Sequence, residues 1–260
     1  MPISASPPPQ SPEERQAAIL ARIEREGRVS ATALAAEFGV SEDSIRRDLR
    51  DLAEGGLIQR VHGGAIRRST LPAAFGDRLV RRPVEKSALA AAALGLLRPG
   101  ATVLLDQSTT TLALAHLLPA GADLTVVTAT PEIALAALGR GVTEVIMLGG
   151  RLDPVSRAVA GPAVLAAIGQ IHYDLCVLGA CGIDIALGIT AQDHDDACLK
   201  RAMVAASAAV TALITADKFD TASPFRVAPL SRLDRLVAEA HTPPDTLARY
   251  AAAGVDLLLA

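Results

Sequence analysis

Hydrophobic positions near the N-terminus recur every three or four residues, which is the period of a helix with one buried face. The pattern predicts three helices, whose buried positions include Ile23, Leu34 and Ile45. A serine able to cap the first turn precedes each helix. These serines are Ser11, Ser30 and Ser41. A β hairpin with a turn at 62–64 comes next, so we predict a small α+β winged helix-turn-helix domain over residues 12–68.

The third predicted helix carries three arginines outside its buried stripe. Ile45 and Leu49 give this helix its apolar side, which leaves Arg46, Arg47 and Arg50 free to meet a ligand. Acidic residues nearly balance the arginines of this segment in charge. Affinity for duplex DNA therefore depends on the placement of the arginines and on dimerisation. A protein-interaction module is the alternative for a winged helix, but the arginines and the Gly-Gly wing tip favour DNA. The candidate DNA contacts are Ser30, Ser41, Asp43, Ser44, Arg46, Arg47, Arg50, Arg60, His62 and Gly63.

Composition shifts mark the boundaries of this domain. Residues 1–11 hold a run of three prolines and are predicted to be a disordered tail. Residues 69–84 hold two prolines, a glycine and several charges without periodicity, so we predict a linker whose hinge lets the flanking domains move. Residues 85–260 are then predicted to be a second domain.

The hydrophobic period changes after residue 84. Short runs of leucine and β-branched residues alternate with alanine-rich stretches of helical period, which is typical of a mostly parallel sheet covered by helices on both faces. We predict strands at 102–105, 124–128, 144–148, 175–178, 212–215, 235–238 and 255–259. We predict helices at 86–97, 109–118, 131–138, 162–168, 195–209 and 246–253. The second domain is therefore expected to be an α/β domain.

Small, hydroxyl-bearing or charged residues follow five successive predicted strands. Ligands bind at the carboxyl ends of parallel strands, so these residues are expected to converge on one pocket. The run 108–111 also begins a helix, whose free N–H groups favour an anion, while Arg151 and Lys218 supply positive charge. Taken alone, Ser108 is an ordinary N-cap and the glycine pair an ordinary turn, but their convergence favours a phosphorylated small molecule. The candidates are Asp106, Ser108, Thr109, Thr110, Thr128, Gly149, Gly150, Arg151, Asp184 and Lys218, with Asp106 or Asp184 accepting from ligand hydroxyls.

Composition excludes several other classes of protein. The 260-residue chain has a net charge of −3 and 2% aromatic residues, so it offers no stacking platform for single-stranded nucleic acid. Three cysteines without CxxC spacing fit a reduced, cytoplasmic chain. When bound to operator DNA, the chain is expected to be associated with the nucleoid. No apolar run approaches the ~18 residues of a membrane span, so no membrane partner is expected. Because His194, Asp195 and Asp196 are consecutive, they favour a capped helix start over a metal cluster, and we predict neither a metal site nor a cofactor.

From Glu13 to Ala260 the chain resembles the DeoR-type bacterial transcriptional regulators. The most specific match comprises Val40-Ser41, Ile45-Arg46-Arg47-Asp48-Leu49, Leu57-Ile58 and Arg60-Val61-His62-Gly63-Gly64-Ala65. The resemblance implies a winged helix that reads double-stranded operator DNA. It also implies a C-terminal domain similar to ribose-5-phosphate isomerase that senses a sugar phosphate, a polyol phosphate or a related metabolite. The match extends through Lys200, so we add Lys200 to the candidate effector-binding residues. A homodimer or homotetramer is expected, because it would place two recognition helices in successive major grooves of the DNA.

Three residues depart from the family's pattern, and all lie at the predicted pocket. Ser108 replaces a usual glycine, Ala129 a usual asparagine and Thr215 a usual aspartate. A side chain at position 108 would narrow access to the backbone if that position required a positive φ.

An isomerase with a DNA-binding appendage is the competing hypothesis for the whole chain. Isomerisation needs a carboxylate base beside the substrate carbon, and the strand ends offer Asp106 and Asp184 but no glutamate. We therefore predict a regulator rather than an enzyme, namely a repressor of a carbohydrate or related metabolic operon that is relieved by the bound metabolite.

Overall fold

The computed structural model describes residues 11–69 and 74–260, so the predicted tail lies outside the described residues apart from Ser11. The N-terminal elements are α1 (Pro12–Glu26), β1 (Arg28–Ser30), α2 (Ala31–Phe38), α3 (Glu42–Glu54), β2 (Ile58–Val61) and β3 (Gly64–Arg68). Three helices followed by a hairpin confirm the predicted winged helix-turn-helix.

Each of these three helices begins at the serine predicted to cap it. The side chains of Ser11, Ser30 and Ser41 each accept a hydrogen bond from the backbone N–H three residues further on. Each bond satisfies one of the donors that a helix start leaves free. Strand β1 was not predicted, because three residues are too few to show an alternating pattern. It pairs antiparallel with β3, so the wing sheet has three strands of its own.

One charged residue of α3 faces inward. Asp48 is 3% exposed and accepts hydrogen bonds from Nε and Nη2 of Arg15 at 2.5 and 3.1 Å, which joins α3 to α1. The acidic residues of this segment were expected, as a group, to balance its arginines. For Asp48 that expectation was wrong on the DNA-facing side, because Arg15 of α1 neutralises its carboxylate.

The C-terminal part contains the α/β domain. Its first elements are α4 (Phe75–Leu79), α5 (Pro83–Leu94), β4 (Ala101–Leu105), α6 (Thr109–Leu117), β5 (Leu124–Thr128), α7 (Pro131–Gly139) and β6 (Glu144–Met147). Next come β7 (Arg151–Leu152), β8 (Val159–Ala160), α8 (Pro162–Ile168), β9 (Tyr173–Gly179), β10 (Gly182–Asp184), β11 (Gly188–Ala191) and α9 (His194–Ala206). The last are β12 (Ser207–Ile214), β13 (Thr221–Ala222), β14 (Phe225–Ala228), β15 (Arg235–Ala238), α10 (Pro244–Ala252) and β16 (Leu257–Leu259).

Seven strands form one parallel sheet in the order β16-β15-β12-β9-β4-β5-β6. An apolar core lies on each face: α5, α6 and α7 cover one, and α8, α9 and α10 cover the other. This arrangement confirms the predicted α/β class. Within the described part of the chain, no helix has the length and apolar character of a membrane span.

Two features of this domain differ from the prediction. Helix α9 ends at Ala206 and β12 starts at Ser207, although a helix was predicted over 195–209. Alanines favour a helix locally, but pairing of β12 with β9 in the middle of the sheet outweighs that preference. The antiparallel sheet β10-β11-β14 was not predicted at all, because its strands have three or four residues and β10 and β11 are buried throughout.

The predicted linker, residues 69–84, is packed along its described part. Helix α4 lies within it, and Phe75 is fully buried near the guanidinium groups of Arg78 and Arg157, 5.7 and 5.8 Å from its ring centre. The expectation of a segment without regular structure was wrong, because a single aromatic residue anchors a helix too short to show periodicity. Residues 70–73 lie outside the described residues, and the domain boundaries stay a prediction.

A strand of the C-terminal domain completes the wing sheet. Strand β13 pairs in parallel with β3, with Arg67 opposite Thr221. Gly27 has a φ of +77° and packs against Asp220, where an added Cβ would lie 2.9 Å from the Cβ of Asp220. The two domains therefore share backbone hydrogen bonds, in place of the free hinge that the linker was expected to provide.

Replacing Asp48 with asparagine is expected to lower the free energy of unfolding by about 3 kcal/mol, because Arg15 would keep a largely buried charge without its counter-ion. Urea unfolding followed by circular dichroism measures the change. The matched control is Asp51→Asn on the exposed side of the same helix, with an expected change below about 0.5 kcal/mol. Equal losses in the two variants would contradict a stabilising role for the ion pair.

Candidate functional site

Helix α3 exposes arginines beside the wing. Arg47 and Arg50 are exposed and form no hydrogen bond or ion pair with any residue that the structure describes. Arg46 lies 2.7 Å from a carboxylate oxygen of Glu42 and 3.4 Å from one of Asp43. Arg46 must therefore exchange these partners before it can contact DNA, whereas Arg47 and Arg50 are free to do so.

The remaining candidate DNA contacts divide between helix caps and the wing. Ser30 and Ser41 are exposed caps, and the hydroxyl of Ser44 lies 3.0 Å from that of Ser41. Their hydroxyls stand at helix starts, where backbone N–H groups favour a DNA phosphate. The exposed wing candidates are Arg60, His62 and Gly63. A role in DNA contact stays a prediction for all of them.

A cavity of about 310 Å³ opens at the carboxyl ends of β4, β9 and β12, beneath the β7–β8 hairpin. Six of the predicted effector-binding residues line it. These are Ser108, Thr109, Thr110, Arg151, Lys200 and Lys218. The structure thus brings together residues that are up to 110 positions apart in the sequence. The strand-end pattern pointed to five of them, and the family resemblance pointed to Lys200.

Asp106 lies beneath this cavity instead of on its wall. Its carboxylate is 1% exposed and accepts hydrogen bonds from the backbone N–H of Ser108 and Gly179 at 3.0 and 2.9 Å, and from the Thr111 hydroxyl at 2.9 Å. The expectation that Asp106 accepts from ligand hydroxyls was wrong, because these donors and Lys200 already occupy it. Asp106 instead fixes the shape of the strand end.

Four other predicted residues do not line the cavity. The Thr128 hydroxyl donates to the Leu105 carbonyl at 3.0 Å, and Gly149 and Gly150 form the turn before the β7–β8 hairpin. Asp184 is fully buried, accepts from the backbone at the β10–β11 turn and lies 3.7 Å from Arg28 of the winged helix. Placing Asp184 at the ligand was wrong, because β10 turns into the unpredicted antiparallel sheet.

All three lysines of the chain are buried around this site. Lys86, Lys200 and Lys218 are 7, 4 and 8% exposed, respectively. Lysine is among the residues that are least often fully buried, so three buried lysines in one place point to a function that requires positive charge.

Lys200 and Lys218 differ in their partners. Burial by itself would lower the pKa of Lys200, but Asp196 at 2.7 Å and Asp106 at 3.5 Å outweigh burial and raise this pKa. The side-chain amino group of Lys218 forms no hydrogen bond or ion pair with any described residue, and burial lowers its pKa. It is therefore a basic group on the cavity wall that remains open to a ligand.

The third lysine, Lys86, was not among the predicted site residues. It lines a smaller cavity of about 30 Å³ that shares Thr109 and Lys218 with the larger one and is also bordered by Arg78 and Arg81. Burial, and after it the charge of Lys218, lowers the pKa of Lys86 to about 8. Its signal in the sequence is the one lysine of an alanine-rich helix, where it is flanked by Glu85 and Ser87.

Ser108 departs from the family pattern without strain. Its φ is −86°, and its side chain caps α6 by accepting from the Thr111 N–H at 3.0 Å. The interpretation of Ser108 as an N-cap is therefore right, and the position has no need of a positive φ. Space for the serine comes from Gly179, where an added Cβ would lie 2.4 Å from the Cβ of Ser108.

Replacing Gly179 with alanine is expected to push Ser108 out of its capping position and to lower the melting temperature, because a Cβ cannot approach another Cβ this closely. Differential scanning calorimetry measures the change. Adding Ser108→Gly in the same chain removes the collision and is expected to restore most of the loss. A double variant no more stable than Gly179→Ala alone would contradict this contact as the cause.

Comparison with known proteins gives matches over both domains. Residues 81–240 match the model of the DeoR C-terminal sensor domain, and residues 15–70 match that of the DeoR-like helix-turn-helix domain. The chain is 31% identical to the putative aga operon transcriptional repressor of Escherichia coli O157:H7, over 95% of this chain and 93% of that protein. It is 30% identical to the glycerol-3-phosphate regulon repressor of Escherichia coli strain K12, over 88% of this chain and 92% of that protein.

Among solved structures, the fold is similar to a D-ribose-5-phosphate isomerase in complex with phospho-erythronic acid. The TM-score is 0.39 at 16% identity over 53% of this chain and 54% of that chain, which is too low to support an argument about ligand or activity. The relatives with the higher identities are transcriptional regulators, so this chain is a DNA-binding regulator and not an isomerase. The chain belongs to the DeoR family of transcriptional regulators.

Proposed function

We propose that the chain represses an operon of carbohydrate or related metabolism, and that a phosphorylated small molecule in the 310 Å³ cavity releases it from operator DNA. Two relatives carry the word repressor in their names, one for the aga operon and one for the glycerol-3-phosphate regulon. The observation that supports the effector best is Lys218, a buried amino group on the cavity wall with no ion-pair partner among the described residues.

The start of α6 supplies the other half of the phosphate site. The backbone N–H groups of Thr109 and Thr110 have no acceptor among the described residues, whereas the N–H groups on either side of them are bonded. Free N–H groups at a helix start and the positive end of the helix dipole favour an anion. Lys218 lines the same cavity as these residues, so a phosphate there meets full and partial positive charge together.

The wall of the cavity also offers an acceptor to hydroxyl groups. The side-chain nitrogen of Gln107 donates to Asp196 at 2.5 Å, but its buried Oε1 has no hydrogen-bond partner among the described residues. A buried acceptor without a donor is costly, and a ligand hydroxyl would satisfy it. A phosphate at Lys218 and the start of α6, together with a hydroxyl at Gln107, fits a sugar phosphate or polyol phosphate.

DNA binding is assigned to α3 and the wing. A single α3 presents only a few free arginines, so we propose that a homodimer or homotetramer inserts two copies of α3 into successive major grooves. Base-edge contacts by arginine supply sequence preference, and the capping serines supply phosphate contacts.

Replacing Arg47 with alanine is expected to weaken operator binding by about 1–3 kcal/mol, the usual value of a base-edge contact by arginine. Fluorescence anisotropy with a duplex selected from a random pool by the wild-type protein measures the affinity. The matched control is Arg98→Ala, which removes an exposed arginine of the other domain and is expected to leave affinity unchanged. Wild-type affinity in the double variant Arg47→Ala/Arg50→Ala would contradict the assignment of α3 to DNA.

A second prediction concerns the pH dependence of effector binding. The three lysines give three NMR signals when labelled at Cε, and we expect the Lys86 signal to titrate near pH 8. A bound phosphate favours the charged ammonium and raises this pKa, so affinity is expected to be highest below pH 8 and to fall as Lys86 loses its proton. The ligand itself stays dianionic there, since the second pKa of a phosphate monoester is about 6.

The measurement uses thermal-shift titrations with glycerol 3-phosphate, fructose 6-phosphate and glucose 6-phosphate, since a bound ligand raises the melting temperature. In the variant Lys86→Met the decline of affinity above pH 8 should be smaller than in the wild type. If no phosphorylated compound raises the melting temperature or shifts a lysine signal, the proposed effector class is wrong.

A further inference from the structure

Ser69, the first residue after the wing strand β3, is held at all three of its polar groups. Its N–H donates to the Ala222 carbonyl at 2.9 Å, and its hydroxyl donates to the Cys181 carbonyl at 2.6 Å. Its own carbonyl accepts from the side-chain nitrogen of Gln192 at 3.2 Å. Ser69 is therefore held in place by three hydrogen bonds to the C-terminal domain.

Two of these three partners belong to the effector cavity. Cys181 and Gln192 both line it, at the end of β9 and after β11 respectively. Gln192 bonds to Ser69 through its nitrogen, which leaves its carbonyl oxygen as an acceptor for a ligand. A ligand hydroxyl that draws this carboxamide toward the cavity would act directly on the hydrogen bond to Ser69.

The other side of Ser69 leads straight to the DNA-binding surface. Strand β3 pairs with β2 up to Val61 opposite Gly64, so it reaches the wing tip within five residues, about 17 Å. Gly64 lies directly against the backbone of β1, where an added Cβ would lie 1.9 Å from the Val29 carbonyl oxygen. The Gly63 carbonyl also accepts from the N–H of Ala31 at the start of α2. Displacing one end of β3 therefore displaces the wing together with α2.

We propose that Ser69 is a positioning residue that couples the effector cavity to the wing, with Gln192 as the cavity residue through which a ligand acts on it. The inference rests on the proposed function and adds the residues that transmit the signal. Coupling requires that the ligand bind one arrangement of Gln192 more tightly than the other. Ser69 itself does not line the cavity, so its removal separates signal transmission from ligand binding.

The test compares full-length wild type with Ser69→Ala and Gln192→Leu by hydrogen exchange of the wing, residues 58–68, and by thermal shift. The probes are glycerol 3-phosphate, fructose 6-phosphate, glucose 6-phosphate and inorganic phosphate. Ser231→Ala and Gln170→Leu, which change exposed residues of the same types, are the matched controls. Without ligand, both test variants are expected to exchange about two- to tenfold faster than wild type in the wing, the factor expected from one net hydrogen bond.

With a probe that raises the melting temperature of the wild type, we expect its wing exchange to change as well. In Ser69→Ala the melting temperature should rise by as much as in the wild type, but the change in the wing should fall by at least half. An undiminished change in the wing would overturn the coupling role while leaving the effector site intact. If no probe raises the melting temperature of the wild type, the effector proposal is wrong. In that case the coupling role is tested by hydrogen exchange without ligand, and unchanged exchange of the wing in both variants would refute it.

Discussion

A lysine buried without a paired counter-charge is the constraint on which this site depends. Transferring a lysine charge from water into a protein is costly unless a partner compensates it. Lys200 has two aspartates, and burial lowers the pKa of Lys86 to about 8. Lys218 has no ion-pair partner among the described residues, burial lowers its pKa, and it lines the same cavity as the start of α6. A bound anion is the one component that would satisfy Lys218, the helix start and Lys86 at once.

The segment that carries this lysine leads directly to the wing sheet. The carbonyl of Lys218 accepts from the hydroxyl of Thr221, and Thr221 begins β13, which completes the wing sheet. Lys218 is therefore three residues away from a strand that pairs with β3. The wall of the cavity and the edge of the wing sheet are therefore formed by neighbouring parts of the backbone. Backbone pairing of this kind constrains a hinge far more than side-chain contacts do.

The features that could be predicted from the sequence are those that depend on neighbouring residues. Serine caps, helical stripes and the buried strands of the parallel sheet were found because each leaves its own pattern over four or more residues. The wrong predictions concern residues whose positions depend on contacts with distant parts of the chain. Asp48 and Asp184 were misplaced because their partners, Arg15 and Arg28, are more than 30 and 150 residues away in the chain. Lys86 was missed because only the fold brings its helix beside Lys218. Strand β13 forms by pairing with the distant strand β3, whereas β10 and β11 form a local hairpin whose strands are too short and too uniformly buried to show an alternating pattern.

The three departures from the family pattern have different consequences in three dimensions. Ala129 is buried in the core, and its carbonyl accepts from the N–H of Val159. It therefore positions the β7–β8 hairpin over the cavity and does not contact a ligand. Ser108 is accommodated by Gly179 as a cap. Thr215 lines the small cavity beside Lys86 and Lys218, where the usual aspartate would supply a negative charge. Threonine brings no negative charge there, so Asp217, which lies 3.4 Å from Arg82, is the acidic residue among those that line the small cavity.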